Sequence, residues 1–383
     1  MTLDTTGGTL MTQRVAITQP YVPGYRERLW ELVIQELGEA RVECRVFYGG
    51  DRRQHEEIAV RGDGIEPRWA SRVRAWTFRP SRRIPEFMFR RIPAPWSGAD
   101  VLLVTEMQGT NLNAWQRLAL RRPYITLGHG LSETTTQSQL ADLVENRLNQ
   151  HASHVLTYTE SGRRHVLQST RLDPARVTAF RNSTDTSRLE RAMAAVDPSR
   201  ARAFRENHGI PDDASVALFL GALNEYKKID LLVDAARIAM EADPSVWLVV
   251  AGDGTMRASV DALAADTGRI VMLGHSTPED YAPAASVSRL LLNPGRVGLV
   301  AVDALVMGLP VLTSSGAAHA PEYEYLTRGL NVFEAEATPE AYARAWVETS
   351  LHGAAAEVGH PTIEAAAQAI SGAILGVISR SER

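Results

Sequence analysis

A chain of 383 residues is longer than one hydrophobic core ordinarily serves, since single cores stop growing near ~250 to 300 residues, so two domains are expected. A composition of 44% hydrophobic and 22% charged residues excludes a disordered or fibrous chain. The net charge of −4 excludes the overall basic footprint of a nucleic-acid binder, and no nucleic-acid partner is expected.

Residues 1–13 are small and polar and read as a loose extension, with neither a basic n-region nor an apolar h-region. From Arg14 short β-rich runs alternate with stretches of helical period. The expected strands are Arg14–Thr18, Val42–Tyr48, Val73–Phe78, Val101–Thr105, Tyr124–Leu127, His154–Thr159 and Val177–Phe180, with a helix near Tyr25–Leu37. Such alternation predicts a parallel sheet with crossover helices. The polar stretch Asn182–Ser215, broken by Asp197-Pro198 and Pro211, reads as a linker. A second series follows at Val216–Leu220, Trp247–Ala251, Ile270–Leu273, Arg289–Asn293 and Pro310–Thr313. An apolar helix over Pro361–Ser379 closes the chain and must pack on something, the first domain being one option. The domain expectation is therefore 1–13 extension, 14–184 first domain, 185–355 second domain and 356–383 returning helix.

The single cysteine, Cys44, sits in an apolar run without an intramolecular partner, which suits a core thiol in a reducing compartment. No apolar stretch approaches the ~18 residues that span a bilayer. A cytoplasmic location is expected, with peripheral contact at the inner membrane face suggested by one segment. That segment, 68–91, carries eight arginines against one acid, Glu86, and interleaves Trp69, Trp76, Phe78, Phe87 and Phe89. Aromatic rings beside cations suit a membrane surface or a lipid-linked or anionic acceptor. The alternative is an exposed loop and helix face whose aromatics are buried.

Only two of the 41 basic residues are lysines, Lys227 and Lys228. A compact ammonium and a planar guanidinium are not interchangeable in a tight pocket, so a chain that otherwise uses arginine draws attention to this loop. The loop follows the strand ending at Leu220. A second Gly-opened turn, Gly252-Asp-Gly254, follows the next strand. A third, Asn293-Pro-Gly-Arg-Val-Gly298, leads into an almost wholly apolar helix containing Asp303. Unpaired amides at a helix start attract anions, and ligands of open α/β sheets bind beyond the carboxyl ends of the strands. Gly298, Leu299 and Val300 are therefore candidates to hold a diphosphate, with Asp303 a turn deeper at a ribose and Lys227 opposite. The plainer alternative is a Gly-opened helix whose Asp is satisfied within the protein.

These three segments, in this order, resemble the donor domain of glycosyltransferase family 4, the retaining GT-B enzymes, and the likeness covers most of residues 14–350. It implies an α/β fold of two facing Rossmann-like doubly wound domains with a cleft between them. It also implies a nucleoside diphosphate sugar as co-substrate, a hydroxyl acceptor, and polysaccharide assembly in a bacterial setting as one role. The family's Gly-Arg-Leu followed by Lys corresponds here to Gly221-Ala-Leu223 and Lys227, so the lysine is kept and the arginine is not. Its two glutamates, separated by seven intervening residues, fall on Gly295 and Asp303, so the first acid is absent. The Pro-Gly-x-Val-Gly-Leu version of this loop resembles a polysaccharide-building subgroup. By the same resemblance His129, within Gly128-His-Gly130, lies near the donor sugar as a catalytic candidate beside Lys227, and His275 lies where backbone brackets the base. Gly24, Tyr25 and Arg26 lie on the acceptor side. No Asp-x-Asp occurs, so no metal or other cofactor is expected. The rival readings are a sugar-nucleotide epimerase of the same fold and a non-catalytic sugar-nucleotide-binding subunit.

Overall fold

The computed structural model describes residues 13–50, 64–79, 86–130, 139–350 and 359–381. It divides into two compact units, Met1–Asn182 with Ile363–Arg383, and Ser183–Thr362. The sequence boundaries were drawn at 184 and 355; the contact boundaries fall at 182 and 362. Residues 1–12, most of the expected extension, lie outside the described residues.

Unit 1 holds a seven-stranded sheet built from β1 (Arg14–Gln19), β2 (Glu43–Tyr48), β3 (Ala70–Arg72), β4 (Val101–Glu106), β5 (Tyr124–Gly128), β6 (His154–Thr157) and β7 (Val177–Ala179). The spatial order is β7-β6-β5-β4-β1-β2-β3 and each neighbouring pair is parallel. Strands covered on both faces need continuous apolar runs, and β4, Val-Leu-Leu-Val-Thr-Glu, is buried at its first five positions. Helix α1 (Glu27–Glu39) turns Leu29, Trp30, Val33 and Leu37 to the sheet at helical spacing. The final helix α12 (Ile363–Ser381) joins the same core through Ile363, Ile370 and Ile374 and packs along α1. Cys44 lies against this core, and burial pushes its thiol up to about 12, so it stays protonated.

One strand expectation changes. Val73–Phe78 does not enter the sheet; Ala75–Phe78 instead pairs antiparallel with Phe87–Arg90 in a separate two-stranded ribbon. Apolar alternation is the same for either partner, so periodicity alone could not choose.

Unit 2 holds β8 (Ser215–Leu220), β9 (Val246–Ala251), β10 (Ile270–Gly274), β11 (Ser288–Leu292), β12 (Val311–Ser314) and β13 (Val332–Ala335). Their order is β10-β9-β8-β11-β12-β13, wholly parallel, which is the 3-2-1-4-5-6 order of a dinucleotide-binding sheet. The order reverses between β8 and β11. Crossover helices α7 (Ile229–Ala242), α8 (Arg257–Thr267), α9 (Pro278–Val287), α10 (Val300–Met307) and α11 (Pro339–Ser350) cover the faces. The stretch Asn182–Ser215 is more than the expected linker. It forms α5 (Ser187–Ala194) and α6 (Pro198–Asn207), which send Leu189 and Phe204 into the unit 2 core, with Ile210 following.

Candidate functional site

The switch point of unit 2 lies where β8 and β11 end side by side. Beyond β8 the chain runs through Gly221 into a short 3-10 turn, Glu225–Lys227, opened by the Asn224 side chain accepting from the Lys227 amide. Lys228 then takes a left-handed conformation, φ 51°, and starts α7. The half-buried Lys227 side chain folds back over Gly221, and its ammonium donates to the Arg296 carbonyl at 2.9 Å. Asn293 donates to the same carbonyl at 3.3 Å. Lys228 donates to Ser314 Oγ at 2.8 Å, and Ser314 in turn to the Pro294 carbonyl at 2.5 Å. These bonds tie the lysine turn, the 293–298 loop and the end of β12 together at one sheet edge.

Two glycines make that closeness possible. A Cβ on Gly295 would meet the Tyr226 carbonyl and come within 2.5 Å of the Lys227 carbonyl carbon, so the 293–298 loop lies on the backbone of the lysine turn. The Arg296 amide bonds to the Tyr226 carbonyl at 2.9 Å. The position where the family resemblance expects its first acid therefore has no room for any side chain in this conformation. A Cβ on Gly252 would likewise strike the Gly221 carbonyl, so the ends of β8 and β9 are also in direct backbone contact.

Helix α10 starts two residues after Gly298. Among the described residues no protein acceptor pairs with the amides of Gly298, Leu299 or Val300, and no side chain caps the helix. Three N–H groups at a helix start, with the positive end of its dipole, make an anion-receiving surface. Asp303 sits in the first turn. Burial pushes its carboxyl up to about 7, opposed by the Lys227 charge. Burial, with the neighbouring Arg296 cation, pushes Lys227 down to about 8, opposed by Asp303. Each group is held in its charged form chiefly by the other.

Sequence reasoning missed a residue here. His319, on the loop after β12, stacks on Tyr323 with ring centroids 3.9 Å apart, and its Nδ1 accepts from the Val297 amide at 3.2 Å. That bond fixes the tautomer with the proton on Nε2. Burial drives its pKa down to about 4; Glu334 opposes the shift, while Arg296, Lys228 and Arg328 add to it, so the ring is a neutral donor. Nothing in its surrounding sequence, Ala-Ala-His-Ala, advertises this. His275 is exposed just beyond the end of β10, on the far side of β9 from β8.

In unit 1 the candidate residues meet on one aromatic ring. Gly24–Arg26 forms a 3-10 turn after β1, with Tyr25 exposed and Arg26 buried. The Arg26 guanidinium lies 4.8 Å above the Tyr158 ring and 5.6 Å from Tyr25. His129, exposed at the end of β5, sets its ring 4.6 Å from Tyr158, tilted by 35°. Tyr158, just beyond β6, is thus the organising residue of this edge, and the sequence reading did not single it out. Deeper in, buried Arg90 pairs with part-buried Glu106 at 2.9 Å, and Glu106 also accepts from Thr105 at 3.1 Å and Thr18 at 3.3 Å.

Comparison with known proteins decides the family. The profile described as Glycosyl transferases group 1 matches residues 201–346, and the one described as Glycosyltransferase Family 4 matches residues 27–188. The chain belongs to the family 4, group 1 glycosyltransferases. D-inositol 3-phosphate glycosyltransferase of Mycobacterium leprae is 28% identical over 187 residues, covering 46% of this chain and 41% of the relative, so the chain aligns with about two fifths of that relative's length. HepE of Anabaena, solved with UDP, superposes with a TM-score of 0.57 at 17% identity, over 97% of this chain and 98% of its own. A UDP-GlcNAc 2-epimerase of Methanocaldococcus jannaschii superposes with a TM-score of 0.54 at 10% identity, over 96% of this chain and 99% of its own. At these identities the superpositions establish the fold, GT-B, which glycosyltransferases and epimerases share.

Proposed function

We propose that the chain transfers a sugar from a nucleoside diphosphate sugar to a hydroxyl acceptor with retention, using unit 2 for the donor. The observation that carries this is the convergence of Lys227 and the free amides of Gly298, Leu299 and Val300 at the sheet's switch point. A diphosphate placed there meets an ammonium, the positive end of α10 and the nearby cations of Arg296 and Lys228. In the reaction the bond between the anomeric carbon and the diphosphate oxygen breaks, and the acceptor oxygen bonds to that carbon on the same face. The hydroxyl proton passes to the departing diphosphate, so no protein base is required. Charge grows on the diphosphate as it leaves, and fixed donors aimed at it favour the transition state over the ground state. Asp303 is assigned to a ribose hydroxyl, and the neutral Nε2–H of His319 to a diphosphate or sugar oxygen. Gly221 and Gly252 supply close backbone approach, and His275 a backbone contact to the base. In unit 1, His129 is assigned to the donor sugar, and Gly24, Tyr25 and Arg26 to the acceptor.

UDP is the first nucleotide to test, because HepE was solved with it. The proposed chemistry also needs no metal, so a chelator should leave turnover unchanged. Calorimetric titration of UDP into the wild type and Lys227→Ala is the deciding experiment. Micromolar binding that the variant loses by about a hundredfold, with an unchanged melting temperature, supports the donor site. Equal binding to both proteins removes it. The tight seat of Gly295 favours one second reading, a nucleotide-binding subunit without transfer, and UDP binding with no sugar release from UDP-glucose on any acceptor would select that reading.

A further inference from the structure

The ribbon of Ala75–Phe78 and Phe87–Arg90 has two unlike faces. Its register pairs Ala75 with Arg90, Trp76 with Phe89, Thr77 with Met88 and Phe78 with Phe87. Side chains alternate across a strand, so Trp76, Phe78, Phe87 and Phe89 share one face. The opposite face carries Met88 and Arg90 and turns into unit 1. Arg90 is 3% exposed and bonded to Glu106 and the Gly49 carbonyl, and Met88 bridges to Asn111. The aromatic face looks outward: Phe78 is 63% exposed and Trp76 is 48% exposed, with Trp76 stacked on Phe89 at 5.9 Å. Two outward aromatics on a soluble face are costly unless something covers them.

The charges identify what covers them. The ladder continues one step further, with the Arg91 amide bonded to the Arg74 carbonyl at 3.0 Å, so both guanidines fall on the aromatic face at the base of the ribbon. Arg68, Arg72 and Arg79 are exposed close by in the chain, while the described acids of this stretch are Glu66, engaged with Arg72 at 3.9 Å, and Glu86. A local excess of cations on a chain of net charge −4 is complementary to an anionic partner, and rings beyond the cations suit one whose interior is apolar. We propose that this ribbon is a docking element for an anionic lipid surface: Trp76 and Phe78 seat among the acyl chains and Arg74 and Arg91 meet the headgroup phosphates. The inference stands independently of the donor chemistry.

Flotation of the full chain with vesicles of phosphatidylcholine, alone or mixed with phosphatidylglycerol, tests this. The wild type is expected to float with the mixed vesicles and to release them in high salt. Trp76→Ser with Phe78→Ser, and separately Arg74→Glu with Arg91→Glu, should each weaken partitioning by about tenfold or more at unchanged melting temperature, since one pair removes apolar burial and the other the headgroup attraction. Three results would overturn the proposal: no flotation of the wild type, flotation that neither double variant alters, or a wild-type dimer that Trp76→Ser with Phe78→Ser converts to monomer without any lipid binding.

Discussion

At the switch point of unit 2 the chain presents backbone amides and a lysine, Lys227, whose ammonium among the described residues bonds to a carbonyl; at that of unit 1 it presents side chains bonded to one another. Thr18, Thr105, Glu106, Asn111 and Arg90 close a hydrogen-bonded cluster at the ends of β1 and β4. The two sheets share their strand order, yet among the described residues the unit 2 edge leaves helix-start amides open to an anion, while the cluster at the ends of β1 and β4 spends its polar groups on itself. Similar folds therefore do not imply similar sites: the edge proposed for the donor depends on glycines that let three loops touch, and the other edge depends on the Arg90–Glu106 ion pair and the ring contacts of Tyr158.

The sharpest break between the two edges is expected from Arg90→Ala. It leaves the part-buried Glu106 carboxylate without its cation, which costs about 3 kcal/mol, seen as a fall in the melting temperature of unit 1. If the edges are independent, UDP affinity measured below that temperature stays at the wild-type value; a parallel loss of affinity would join them. In unit 2, Gly295→Ala should cost about 1 to 3 kcal/mol by forcing the 293–298 loop off the lysine turn, and UDP binding should fall with it. Gly295→Glu, which restores the family's missing acid, should do worse than Ala, which turnover assays on UDP-glucose would show.

That outcome bears on how much could be read in the sequence. Strands β1, β4, β8 and β9 were legible because strands covered on both faces must be largely apolar, and the two lysines drew attention by composition alone to the loop proposed for the donor. The short β13, Val-Phe-Glu-Ala, escaped because Glu334, bonded by Tyr323, interrupts its apolar run. Helices α5 and α6 looked like linker because few apolar residues per turn suffice to pin them. Gly295, Tyr158 and His319 were opaque for another reason: each matters through what lies next to it in space, and no local pattern encodes that.

Smaller effects sharpen the contrast further. Lys227 titrates near 8, below the ordinary lysine range, because burial disfavours its charge. A diphosphate favours the charged form, so the Lys227 contribution to UDP affinity should decline as pH rises through about 8, toward tenfold per pH unit above it, with proton uptake on binding visible as buffer-dependent calorimetric heats. For stability the sign is opposite. The unfolded chain binds that proton more tightly, so the stability deficit from burying Lys227 is greatest below about 8 and shrinks as pH rises toward the ordinary lysine value. The smallest change is expected from Tyr158→Leu, which removes the ring beneath Arg26. A loss of about 1 kcal/mol should appear in the acceptor KM, while UDP affinity remains unaltered.

The return of α12 to unit 1 sets an order of events during synthesis. Ser183 and Pro361 meet in unit 2, Ser183 Oγ donating to the Pro361 carbonyl at 2.6 Å, so the chain leaves and re-enters unit 1 at neighbouring points. Ile370 and Ile374, fully buried against the first sheet's core, are translated only after all of unit 2. The first unit to begin is therefore the last to close. While the ribosome completes unit 2, the apolar flank of α1 waits for its partner, and a chain stalled before residue 363 would carry a finished second unit beside an unfinished first, a state suited to chaperones.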